Sequence, residues 1–133
     1  MNKSRNQNAL LIEIMMAVLF FALCATVLAE AFMAAHEQGR HAGVDSRALV
    51  DAQDVAEQLY AVADSEAMLA AAGFVLSDGL WTRAEGEVCL TVALSGQPTE
   101  AGFLHTAEVS ACRGDTLIVT LPVARYEPKG AME

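Results

Sequence analysis

The side chain with most to say about chemistry in this 133-residue chain is a carboxylate. Glu13 stands near the start of an apolar run, Ala9-Leu10-Leu11-Ile12-Glu13-Ile14-Met15-Met16-Ala17-Val18-Leu19-Phe20-Phe21. Moving a charge into a bilayer costs about 2.5–3.5 kcal/mol on insertion scales, so a carboxylate there needs a partner. No Lys or Arg lies between Glu13 and Arg40, which places that partner on another chain. An assembled membrane or filament protein fits this pattern better than a solitary enzyme.

The remaining reactive residue types are sparse. Cys24 lies within the apolar run and reads as a small hydrophobe; Cys89 and Cys112 lie in the C-terminal region. His36, His41 and His105 are too few for a metal site, and an i, i+5 spacing points His36 and His41 apart on a helix. No G-x-S-x-G, Walker loop, H-E-x-x-H or GxGxxG pattern is present, and the residues call for no cofactor. Arg113-Gly114-Asp115 is explained by a Gly-containing hairpin turn rather than by adhesion. Asp45, Asp51, Asp54 and Glu57 read as a solvated helix face, or else as partners for Arg40, Arg47 or Lys129 of another subunit.

Charge and hydropathy place these residues on elements. The net charge is −9; residues 1–12 contribute +2 through Lys3 and Arg5, leaving −11 for residues 13–133. A basic end retained in the cytoplasm and an acidic domain exported would account for that asymmetry. It argues against direct nucleic-acid binding, which needs clustered Lys and Arg. Residues 14–35 hold one charge, Glu30. As a helix they span about 33 Å, close to the roughly 30 Å hydrocarbon core. The expected topology is a single pass with the N-terminus inside. A secretory signal peptide cut near Ala29-Glu30-Ala31 and a plain signal anchor are the alternatives.

Downstream, Ala48, Ala52, Val55, Ala56, Leu59 and Val62 recur at steps of three and four, marking an amphipathic helix. Gly39 and Gly43 lie between it and the apolar run. They predict one helix weakened over 39–45, or a short linker with Asp45 or Ser46 capping a second helix. Asp64-Ser65 opens a short helical turn that Gly73 ends. Four strands are then expected, at 80–83, 87–94, 106–112 and 116–121. Gly86 marks the first turn, Gly96, Pro98 and Gly102 the second loop, and Gly114 the third. The expected fold is α+β, with a long N-terminal helix packed on a small antiparallel meander of three or four strands. Val88, Leu90, Val92, Leu94, Val109 and Ala111 would form the face under the helix, with Trp81 a core or edge aromatic.

The same alternation puts Cys89 and Cys112 on the polar side of their strands. If 89 faces 112, then 91 faces 110 and 93 faces 108. Directly opposed Cβ atoms lie about 4.5–5.5 Å apart, near bridging distance. Export would favour a disulfide; two reduced, half-buried thiols are the alternative.

The start Ala9-Leu10-Leu11-Ile12-Glu13, followed by an apolar stretch, resembles the N-terminus of type IV pilins and type II secretion pseudopilins. The later Asp54-Val55-Ala56-Glu57-Gln58-Leu59 is similar to minor pseudopilins of the I or V type. The resemblance covers about residues 1–65, and its sharp motif is five residues long. It implies a basic leader, residues 1–8, removed by a prepilin peptidase between Asn8 and Ala9. Family members usually carry Gly before the cut and Phe or another large apolar residue after it, so Asn8 and Ala9 depart from the pattern. It implies a filament-core helix over 9–35, a hinge over 36–45, an amphipathic helix over 46–73 and a sheet domain over 74–133. Implied partners are other pilin or pseudopilin subunits, an inner-membrane assembly platform and membrane lipid. Glu13 would be the assembly contact, accepting the amine of a neighbouring subunit. Some pseudopilins bind calcium, but no D-x-D-x-D loop occurs here.

Overall fold

The computed structural model describes residues 2–130. One helix, α1 (Asn2–Ala61), is followed by α2 (Ser65–Ala71) and by five strands: β1 (Val75–Ser77), β2 (Leu80–Glu85), β3 (Val88–Thr99), β4 (Gly102–Arg113) and β5 (Thr116–Pro128). The strands form one antiparallel sheet in the order β1-β2-β3-β4-β5. The chain divides into two compact units between His41 and Ala42.

In the second unit the later turns of α1 cover the sheet. Ala48, Ala52, Val55 and Leu59 are buried, at the three- and four-residue steps that put one stripe of a helix against a surface. Beneath them lie Leu90 and Val92 of β3 and Val109 and Ala111 of β4, each 0% exposed. Val88 and Leu94 pack at the edge of this cluster, as does Trp81. Burying a Leu or Val side chain contributes about 1.5–3 kcal/mol, so this stripe-on-sheet contact is the main source of cohesion. Asp45 of α1 and Arg113 at the end of β4 form an ion pair that ties the first turns of the covering helix to the sheet. Asp45 was expected on a solvated face or as a cap; it is half-buried and paired within its own unit.

Several boundaries differ from the sequence-based expectation. Residues 36–45 are helical throughout, as one helix through Gly39 and Gly43 requires, and the alternative of a second helix capped at Asp45 or Ser46 falls away. The short helical turn expected at Asp64-Ser65 is α2, with Asp64 as N-cap, its carboxylate accepting from the Ala67 N–H at 3.1 Å; the stretch 46–73 is therefore two helices, since α1 ends at Ala61. Gly73, at φ +88°, ends α2. Arg83 closes that end: its guanidinium donates to the Ala72 carbonyl at 3.0 Å and lies 4.8 Å from the Phe74 ring centroid.

The sheet has five strands rather than three or four. The extra strand, β1, returns through Asp78 (φ +51°) and Gly79 (φ +81°), the two positive φ angles of a type I′ hairpin. The second loop is much shorter than expected, because β3 runs on to Thr99 and β4 starts at Gly102. Gly96 and Pro98 are therefore strand residues. The Phe103 ring lies over Gly96, where a Cβ would come within 2.7 Å of its Cζ. β2 pairs with β3 only as far as Val92, so Pro98 falls where β3 has no β2 neighbour needing its missing N–H. β5 is the long outer strand and carries Pro122 and Pro128.

Candidate functional site

The apolar part of α1 is the most unusual surface of the chain. From Leu10 to Met33 its large apolar side chains are between 55% (Ile14) and 78% (Phe32) exposed, on every side of the helix. A helix that is hydrophobic all round needs lipid or other helices around it. By length and composition α1 is able to cross a membrane, and it is the one such helix among the described residues.

Glu13 lies on this surface. A helix brings i±3 and i±4 into reach, and for Glu13 these are Ala9, Leu10, Met16 and Ala17. None can pair with a carboxylate, and Glu13 has no ion pair or hydrogen bond among the described residues. Glu30 is in the same position, with Thr26, Val27, Met33 and Ala34 around it. Asn8 and Ala9 are exposed and helical, one turn before Glu13. A protease acting between them would have to unwind that turn.

Just past the apolar stretch the charges pair. Glu37 Oε1 accepts from Arg40 at 3.0 Å and lies 3.1 Å from His41 Nε2. The Arg40 hydrogen bond and charge hold the Glu37 carboxyl below its ordinary value of 4.5. The histidines do not converge: His41 pairs with Glu37, and His105 lies 3.1 Å from Glu127 on the sheet. No group of three His, Cys, Asp or Glu suited to a metal occurs among the described residues.

The register that the sequence left as a condition, 89 facing 112, is the one the structure has. Cys89 is paired in register with Cys112, Thr91 with Ser110 and Ala93 with Glu108. Both are half-buried free thiols in the structure, on the face away from α1. Cys24 is an exposed thiol on the apolar helix. Arg113-Gly114-Asp115 makes the β4–β5 hairpin turn, with Gly114 at φ +58° and Arg113 engaged by Asp45.

Sequence reasoning missed a cleft of 440 Å³ at the far end of the sheet, beyond the last turn of α1. Its signal in the sequence is weak: Asp64 has the pattern of a helix cap, and the Gly and Pro residues around Gly96 have that of a loop. No protein-family model, curated protein or solved structure matches the chain.

Proposed function

We propose that the chain is a structural subunit, of the minor kind, of a type IV pilus-like or type II secretion pseudopilus filament. It is inserted in the inner membrane by α1 with its N-terminus in the cytoplasm and its acidic domain outside. Assembly then moves the apolar part of α1 from lipid into a bundle of like helices. Prepilin peptidase, the assembly platform and other subunits are the partners in this reading, and no catalytic step belongs to it.

The observation that carries the proposal is Glu13, a carboxylate without a cation among the described residues, on a helix exposed all round. In a bundle such a charge is costly alone and stable only against a partner, so it sets the register of one helix against the next. Removal of residues 1–8 creates that partner as the Ala9 amine. The disulfide between Cys89 and Cys112 completes the exported domain.

Intact mass and N-terminal sequencing of protein from the native host test the reading. A chain starting at Ala9, with Glu13→Ala still membrane-inserted but absent from filaments, is the expected result. A chain starting at Phe32 discards Glu13 and overturns it. Normal incorporation of Glu13→Ala removes Glu13 from its role.

A further inference from the structure

The cleft beyond α1 has an apolar floor and an uneven charge. Leu94, Phe103, Ala107 and Val123 line the floor, and Phe103 is 38% exposed. A volume of 440 Å³ falls in the range of side-chain and ligand pockets. One wall, the corner between α1 and α2, carries Asp64 and Glu66. Asp64 caps α2, and neither acid forms an ion pair among the described residues. Arg125 of β5 reaches that same corner, donating to the Ala63 carbonyl at 3.2 Å and lying 3.9 Å from Glu127, while His105 lies 3.1 Å from Glu127. With two acids in its lining against one arginine, which is shared with Glu127, the cleft is acidic beside the apolar side chains of Leu94, Phe103 and Val123.

A second feature adjoins it. β3 continues past its last β2 partner, Val92, and from Ala93 onward has no strand on that side among the described residues. Ser95 and Gly96 of this bare edge line the cleft. An unpaired strand edge is a template for another strand. Pro98 has no N–H to give, which limits pairing to about Ala93–Gln97.

We propose that this edge and cleft receive an extended, basic segment of a partner protein as an added strand beside Ala93–Gln97. Backbone hydrogen bonds to β3 hold it, and its alternate side chains enter the cleft. Lysine or arginine at those positions meets Asp64 and Glu66, while the apolar stems lie on Leu94 and Phe103. The unit as a whole favours such a partner, with fourteen acids against five bases in residues 42–133. This inference is independent of the filament reading, because it uses no residue of the apolar helix.

The test uses the full chain in an uncharged detergent and end-blocked, fluorescein-labelled hexapeptides read by anisotropy. The probes are Lys-Val-Lys-Val-Lys-Val, its glutamate counterpart, and the lysine peptide N-methylated at alternate residues. Saturable binding of the lysine peptide alone is expected. Glu66→Lys should weaken it about fivefold, since an exposed attraction is replaced by a repulsion. Glu108→Lys makes the same charge change on the opposite sheet face and should leave binding within about twofold. Equal binding of the glutamate or N-methylated peptide overturns the proposal, as does equal weakening by the two charge reversals. If Glu66→Lys fails to fold, Glu66→Gln gives the same reading with a smaller loss, and no loss overturns it.

Discussion

Joining Cys89 to Cys112 would change the stability of the sheet domain by an amount that follows from the register. The two residues are direct partners across β3 and β4, and the bond closes a loop of about 24 residues. Loop-closure entropy lost from the unfolded chain then amounts to about 3.5 kcal/mol. Some of this is given back, because opposed Cβ atoms in a sheet stand about 4.5–5.5 Å apart and a disulfide needs about 3.5–4.5 Å. A net gain of about 2–3 kcal/mol is the expectation, raising the melting temperature by roughly 10–20 °C for a unit of this size. The assay is urea unfolding of the full chain, oxidised and then reduced, with Cys112→Ser as the control that must match the reduced form. Protein from an oxidising compartment should show one accessible thiol, Cys24, under denaturing conditions. Three accessible thiols, or a gain below about 0.5 kcal/mol, would refute the reasoning.

Three further outcomes are expected. Gly39→Ala and Gly43→Ala should each stabilise α1 by about 0.5–1 kcal/mol, because a Cβ at either site meets nothing within 4 Å; circular dichroism on thermal unfolding reads this, and lost helix would contradict it. Leu90→Ala should cost about 2–5 kcal/mol, since Leu90 is wholly enclosed between α1 and the sheet; a loss below 1 kcal/mol in urea unfolding would mean that the helix does not seal that face. Glu37, held below 4.5 first by the Arg40 hydrogen bond, should titrate higher in Arg40→Gln by side-chain NMR. Its depressed value means the contact stabilises the helix above pH about 4.5 and fades as pH falls through the lowered folded value, and an unmoved midpoint would dissociate Arg40 from Glu37.

Where one face of an element is buried, the pattern was legible. Ala48, Ala52, Val55 and Leu59 show the helical stripe, and Leu90, Val92, Val109 and Ala111 show the alternation beneath it. The same period of two put Cys89 and Cys112 on one face, and the register that opposes them came with the structure. What escaped is set by tertiary contact. Gly96 looks like a turn residue until the Phe103 ring lies on it, and Pro98 looks like a breaker until β2 stops short of it. Asp78-Gly79 did carry a hairpin signal, but three-residue β1 is too short to show a period. Asp45 belonged to a polar helix face until Arg113, remote in sequence, came within reach. Glu13 was legible as a lone charge from its neighbours alone, and the structure keeps it without a partner among the described residues.

The prolines of β5 have a consequence for how the sheet meets other copies of the chain. β5 offers thirteen residues along one flank of the sheet, long enough to seed endless flank-to-flank stacking of identical chains. Pro122, midway along, removes one donor from that flank, and Pro128 removes another at its end. A chain with so long a bare flank gains from this interruption. The flank is a poorer template for its own kind, and amyloid-like stacking along it is disfavoured.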